Sequence, residues 1–398
     1  MGRRNQSVLL TALAHLFHRL AEFVGAASLA AWTYLTLFRA GFWRIHDAAF
    51  PPAEGATRKI IALIPARDEA AVIDKAVASL LNQNYPGKVA VLVIDDSSSD
   101  GTREVALQAA YSVQAADRFQ VFSTTAPPHE WTGKLWALSE GLRQLDGCEA
   151  DYFLLTDADI AHSPDNVSAL VGHAESGNFD LVSLMVQLRC ESLAERTLVP
   201  AFLFFFFMLY PPAWVAQGER KTAAAAGGCI LIRPSALART GGISAIRSEL
   251  IDDCALAKQI KKTSGRIFLG ATTRSRSLRE YRSWSDVEQM ISRHAFTQLG
   301  HSTTLLIGTL LALIVVFVAP PLLLFGGRLA LAMGLCSWLL MSICFWPSVR
   351  LYRVSVLRAP TLPLVALFYL AATIHSAILY WQGRGGVWKG RIQGSTAN

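Results

Sequence analysis

The sequence predicts an α/β domain built on a parallel sheet, with membrane-spanning helices before and after it. Three observations lead there. The 398-residue chain is 52% hydrophobic but only 17% charged, against the ~25% charge usual in soluble domains. Uncharged apolar runs lie near the two ends. Between them, continuous apolar runs alternate with helical patterns and end in acidic residues. The length allows two or three units at ~100–200 residues each. Low charge and 10% aromatic content exclude a disordered chain. Cys148, Cys190, Cys229, Cys254, Cys336 and Cys344 form no C-x-x-C pair, which argues against a zinc module or a secreted disulfide framework. The net charge of +7 is spread thinly and suits an anionic membrane surface or a phosphate-bearing substrate at least as well as nucleic acid.

Taken in order, residues 1–45 read as a membrane anchor. Phe23 to Phe38 carries no charge and is flanked by Glu22 and Arg39. A cleaved signal peptide fits poorly, because the apolar stretch starts late after Arg3 and Arg4 and lacks a small-residue cleavage site. Residues 58–299 read as the α/β domain. Lys59 to Pro65, Val89 to Asp95 and Tyr152 to Thr156 are strand-like, and Asp74 to Asn82 is helical. Continuous apolar strands alternating with helices imply a parallel sheet buried on both faces. Such sheets bind ligands beyond the carboxyl ends of their strands. Within this region, Thr197 to Gln217 is apolar but broken by Pro200, Pro211 and Pro212. That argues against a plain crossing and leaves buried core and an interfacial segment (197–217) as equal readings. Thr303 to Phe325, Leu329 to Val349 and Ala359 to Trp381 lack Asp, Glu, Lys and Arg, and ~20 apolar residues span a bilayer core. About three helices are therefore expected over 303–382, followed by a basic tail at 383–398.

Polar residues collect where the strands end. Pro65-Ala66-Arg67-Asp68-Glu69 follows the first and by itself reads as a helix start. Asp95-Asp96 and Ser97 to Thr102 follow the second. The serines and threonine suit turn caps, while two adjacent buried carboxylates must be solvated or engaged. Asp157-Ala158-Asp159 follows the third. If strand geometry continues, both carboxylates face one side and can hold a hard divalent ion that takes its other oxygens from phosphate and water. Asp252-Asp253 precedes a helical pattern, placing a candidate general base, or only favourable first-turn charge, at a helix start. The basic residues Lys258, Lys261, Lys262, Arg266, Arg274, Arg276, Arg279 and Arg282 read as a solvated face, reasonable against anionic lipid. Nucleic acid is not an expected partner, because no stacking module accompanies them. Neither G-x-G-x-x-G nor a P-loop motif occurs, which excludes the usual dinucleotide oxidoreductase and P-loop signatures.

The ordered set Pro65 to Glu69, Asp95 to Thr102, Trp131-Thr132-Gly133-Lys134, Asp157-x-Asp159 and Asp252-Asp253 resembles the family 2 glycosyltransferases, over Lys59 to Thr297. The resemblance implies a GT-A fold, that is, a Rossmann-like nucleotide-diphospho-sugar transferase domain. The anchor, the C-terminal runs, Arg293 to Leu299 and the tail Val387-Trp388-Lys389-Gly390-Arg391 look like the hopene-associated membrane subgroup. The family pattern places Glu69 and the Asp95/Asp96 pair at the nucleoside of a nucleotide-sugar donor, with Pro65, Arg67, Lys134 and Arg293 also on the donor side. It places Asp157 and Asp159 at Mg²⁺ or Mn²⁺ on the diphosphate, and makes Asp253, beside Asp252, the base for the acceptor hydroxyl. The expected enzyme sits in the inner (cytoplasmic) membrane, faces the cytoplasm, and takes a lipid acceptor from the bilayer. A polyprenyl-phosphate acceptor and a non-catalytic nucleotide-binding scaffold are the alternatives. The chain departs from the family pattern in carrying Asp-Asp where Glu-Asp is commoner, and His294 where processive members have Trp in Q-x-x-R-W.

Overall fold

The computed structural model describes residues 2–48, 50, 57–388 and 391–392. It contains two compact units, one of His46–Glu195, Tyr210–Ser283 and Leu379–Asn398, the other of Met1–Ile45, Arg196–Leu209 and Trp284–Ile378.

The first unit is organised by β1 (Ile60–Ala66), β2 (Val89–Asp95), β3 (Phe119–Ser123), β4 (Tyr152–Leu155), β5 (Ile160–His162), β6 (Leu181–Gln187), β7 (Ile230–Ile232) and β8 (Ile267–Ser277). Across the sheet they run β3-β2-β1-β4-β7-β6-β8-β5. The first four are parallel, with Ala66 opposite Asp95 and Leu63 opposite Leu155. That register brings the ends of β1, β2 and β4 to one rim. Burial at six of seven positions in both β1 and β2 explains their unbroken apolar sequences, since helices cover both faces. The predicted strands and the helix Ile73–Leu81 agree with their expected limits to within one residue.

The other half of the sheet is mixed, which the expectation of a parallel sheet did not include. β7 is antiparallel to β4 and β6, and β5 is antiparallel to β8. A parallel neighbour needs a crossover of a dozen or more residues. Only Thr156 to Asp159 separates β4 from β5, so β5 turns away and pairs at the far edge.

The helix Gly133–Gln144 lies close on β1 and β2. A Cβ at Gly141 would meet Ile94 Cγ1 at 2.6 Å and Cδ1 at 2.8 Å. Glycine is unfavourable in a helix interior, and here that close approach explains it.

The second unit includes the helix Trp284–Gln298. Phe296 N donates to Ser376 Oγ at 3.0 Å, Ser376 Oγ donates to Ser292 O, and Glu288 meets His375 at 2.6 Å. Among the described residues, five helices are long and apolar enough to cross a membrane: Leu13–Leu37, Leu193–Ala216, Thr303–Phe325, Arg328–Leu351 and Val356–Trp381. The segment around 197–217 thus reaches spanning length, with Pro200 inside its first helix and a break before Pro212. Of the basic tail, Lys389, Gly390 and 393–398 lie outside the described residues.

Prolines in these helices free backbone carbonyls, and the N-terminal segment supplies donors for two of them. Val316 would be bonded by residue 320, but Pro320 has no N–H; the indole of buried Trp32 donates to Val316 O at 2.7 Å instead. Met208 O would likewise need Pro212, and Arg39 Nη2 and Nε reach it at 2.9 and 3.1 Å.

Gly141→Ala should lower the thermal midpoint by ~2–5 °C, because ~1–3 kcal/mol of overpacking outweighs ~1 kcal/mol of helix propensity. A circular-dichroism melt at or above the wild-type midpoint would show that the helix has room for the methyl group.

Candidate active site

The loops after β1 and β2 are fastened to each other. Asp68 and Ser97 adopt φ of 50° and 55°, a left-handed turn conformation that short polar residues tolerate. Asp68 N donates to Ser98 Oγ at 3.0 Å, Ser99 N to Asp68 Oδ1 at 2.8 Å, Glu69 N to Thr102 Oγ1 at 2.8 Å, and Ala70 N to Asp100 Oδ2 at 3.0 Å. The Ser97 to Thr102 run therefore does more than cap a turn: it ties the loop carrying Glu69 to the loop carrying the Asp95/Asp96 pair. Both carboxylates are engaged. Asp95 Oδ1 accepts from Ser98 N at 3.2 Å, and fully buried Asp96 lies 3.6 Å from Arg67 Nη1, which also donates to the Asp96 carbonyl at 2.6 Å.

Strand geometry does not continue through Asp157 and Asp159, as the shared-face expectation required. β4 stops at Leu155 and the chain turns, with Ile160 N bonded to Asp157 O at 3.2 Å. Each carboxylate takes a different cation.

Asp157 belongs to a cluster with Lys134, Asp252 and Asp253. The Thr132 hydroxyl caps the helix Gly133–Gln144 by accepting from Leu135 N at 3.3 Å, which sets Lys134 in the first turn. Its Nζ lies 2.9 Å from Asp157 Oδ1 and 3.1 Å from Asp252 Oδ2. The dyad opens the helix Asp252–Lys262. Asp253 Oδ2 accepts from Gly227 N at 2.8 Å, and Oδ1 from Cys254 N at 2.7 Å. A Cβ at Gly227 would stand 3.2 Å from Lys134 Nζ, 3.5 Å from Asp253 Oδ2 and 3.8 Å from Asp157 Oδ2. Lys134, Asp157 and Asp253 thus meet around one glycine, and Lys134 ties Asp252 to them. A pocket bounded by Pro65, Leu138, Leu155, Ile243 and Leu256 adjoins them, enclosing about 20 Å³, room for roughly one water.

The electrostatics follow from this crowding. Burial, and then the charge of Asp252, push Asp253 up to about 6, with Lys134 and the two N–H donors pulling the other way. Burial disfavours the Lys134 ammonium, yet Asp157, Asp252 and Asp253 together hold it above the ordinary lysine range. A carboxylate that keeps its proton affinity near neutrality, with both oxygens oriented, has the properties of a general base.

Asp159 is held from β8. Its Oδ2 accepts from Ser277 Oγ at 2.9 Å and Arg279 Nε at 3.2 Å, and its carbonyl from Leu278 N at 2.7 Å. Arg279 Nη2 reaches Glu69 Oε1 at 2.7 Å. Arg279 was expected on a solvated face; it is instead a bridge between two motif acids, and burial of its partners explains why. Lys261 also departs from that expectation, donating to the carbonyls of Trp214, Val215 and Thr222 at 3.3, 2.9 and 2.6 Å. Arg293 lies on the helix Trp284–Gln298, in the other unit.

Asp157 and Asp159 offer hard carboxylate oxygens, the chemistry that suits Mg²⁺ or Mn²⁺. Such ions need only one or two protein carboxylates when phosphates and waters complete the shell. Among the described residues no three His, Cys, Asp or Glu side chains form a cage. Sequence reasoning missed Gly227, Ser277 and Arg279. The Gly227-Gly228 pair was the available signal for the first; nothing local distinguishes Arg279 from neighbouring basic residues.

Residues 61–241 match the family model described as glycosyl transferase family 2. The chain is 27% identical over 210 residues to the probable glycosyltransferase YdaM of Bacillus subtilis (strain 168), covering 52% of this chain and 46% of the relative. It therefore spans about half the length of that curated relative. Among solved structures it is similar to the mannosyltransferase PcManGT from Pyrobaculum calidifontis, determined in complex with GDP-Man and Mn²⁺, with a TM-score of 0.55, 18% identity, and coverage of 89% of this chain and 98% of that one. Residues 61–241, which match the glycosyl transferase family 2 model, thus lie on a GT-A-like α/β sheet.

Proposed function

We propose that this protein is a membrane-bound, inverting glycosyltransferase that moves a sugar from a nucleotide-sugar to a hydroxyl of a membrane lipid. The observation that carries this reading is the meeting of Lys134, Asp157, Asp252 and Asp253 at one pocket beside the strand ends. The family 2 domain supports the donor class, and the GDP-Man complex of the Pyrobaculum protein offers an analogy for it. Five helices of spanning length support an acceptor drawn from the bilayer.

In this reading Asp253 accepts the proton of the acceptor hydroxyl as its oxygen attacks the anomeric carbon. Gly227 N–H and Cys254 N–H keep both carboxylate oxygens oriented, and Asp252 holds Lys134 while raising the proton affinity of its neighbour. Lys134 sets a positive charge where the leaving diphosphate gains charge. Glu69, Asp95 and Asp96, with Pro65 and Arg67 behind them, form the nucleoside side. A Mg²⁺ or Mn²⁺ ion on Asp157 and Asp159 would supply electrostatic stabilisation of the diphosphate.

The dyad favours a hydroxyl acceptor over a polyprenyl phosphate, because a phosphate arrives ionised and needs no base. The hopanoid class is the acceptor proposed from the subgroup resemblance, and mass analysis of the lipid product separates it from a polyprenyl product. Nucleotide-sugars are cytosolic, so the catalytic unit faces the cytoplasm of the inner membrane. Arg353 between the last two spans, with Arg350 and Arg358 at their facing ends, agrees with that side. Donor-dependent release of nucleoside diphosphate distinguishes this enzyme from a nucleotide-binding scaffold.

Asp253→Asn should reduce turnover by ~10²-fold or more while nucleotide-sugar binding survives; near-wild-type transfer would remove Asp253 from the mechanism. In the wild type, kcat/KM should fall as pH drops through about 6, since the base must be ionised. A pH-independent rate from 5 to 8 would contradict that role. Stability gives a separate check. A carboxyl whose folded value exceeds its unfolded value of ~4 weakens the fold as pH rises between the two. The melting temperature of Asp253→Asn relative to wild type, measured without metal, should therefore rise from pH 4 to 7; a flat difference would mean that Asp253 has an ordinary proton affinity.

A further inference from the structure

We infer that Arg279 is an exchangeable counter-ion that holds the donor-site acids together before metal and donor bind, and then passes to the diphosphate. The guanidinium bridges two acids distant in the chain, Glu69 at 2.7 Å and Asp159 at 3.2 Å. Those side chains are only 11% and 12% exposed, whereas that of Arg279 is 38% exposed. Two nearly buried carboxylates need a cation beside them. The bridging cation is also the group with a route to solvent.

The surrounding bonds permit the exchange. Asp159 keeps Ser277 Oγ at 2.9 Å on the same oxygen, and its carbonyl keeps Leu278 N at 2.7 Å. Departure of Arg279 therefore leaves Asp159 anchored on β8. Arginine stays protonated throughout, so its partner changes and its charge does not. When Asp159 takes a divalent ion, Arg279 loses that partner, and its fork of N–H donors suits a diphosphate arriving beside Glu69. Arg279 then competes with metal in the empty site and favours nucleotide in the filled one. The bridge between Glu69 and Asp159 is the observed ion pair; the competition with metal and the transfer to diphosphate rest on the glycosyltransferase reading.

The test uses purified full-length protein and free-Mn²⁺ electron paramagnetic resonance titrations of wild type, Arg279→Gln and Arg279→Lys. Arg279→Gln should bind Mn²⁺ alone ~5- to 10-fold tighter, the scale of one competing charge-assisted bond at a partly exposed pair. Arg279→Lys keeps the charge but lacks the fork that meets Asp159 through Nε and Glu69 through Nη2, and should fall between the other two. With Mn²⁺ saturating, calorimetric titration with GDP and UDP should show Arg279→Gln binding the preferred nucleotide ~5- to 10-fold more weakly. Equal or weaker Mn²⁺ binding by Arg279→Gln, or no Mn²⁺ binding by any of the three, overturns the counter-ion role. Unchanged nucleotide affinity overturns the transfer. If Arg279→Gln fails to fold, Arg279→Lys decides by the same two readings. Donor consumption by the wild type is scored separately: its absence alongside tighter Mn²⁺ binding in the variant would sink the glycosyltransferase reading and leave the counter-ion intact.

Discussion

Carboxylates gathered at one edge of a buried sheet repel one another, and the site depends on the two basic side chains placed among them. Lys134 joins Asp157 to Asp252, and Arg279 joins Glu69 to Asp159. Desolvation makes both arrangements costly unless the charges are paired. Burial first, and then the charge of Asp252, raises the proton affinity of Asp253.

The backbone makes this crowding possible. Parallel pairing of β1, β2 and β4 in register delivers three acid-bearing loops to one rim, and the short link from β4 to β5 forces the turn that separates Asp157 from Asp159. Gly141 lets the helix carrying Lys134 lie against Ile94, and Gly227 leaves the space in which Lys134 and Asp253 approach. The serine and threonine hydroxyls of the β2 loop then fasten the Glu69 loop without spending any of the charged groups.

The helical unit meets a different demand. In an apolar medium a freed carbonyl has no water to accept from. Prolines at 212 and 320 free the carbonyls of Met208 and Val316, and Arg39 and Trp32 answer them. Conserving helix length while breaking its bonding pattern is therefore tolerated here because another segment supplies the donors.

The primary structure by itself determined the α/β class, the strands near 60, 89 and 152, the apolar runs of spanning length and the positions of the acidic motifs. These follow from local composition and period, which need no knowledge of neighbours. An acid pair opening a helix is visible in order, but only the resemblance of the whole motif set singled out Asp253 as a candidate base. Tertiary structure alone decided which acid meets which cation. Arg279 looked like any other basic residue after the dyad until β8 brought it to Glu69 and Asp159, residues 210 and 120 positions away. The opposite partners of Asp157 and Asp159, the antiparallel half of the sheet and the place of the helix Trp284–Gln298 in the other unit have the same origin. Each depends on pairing between segments remote in the chain, and the energy of such a pair resides in distance and burial, neither of which is written in the order of residues.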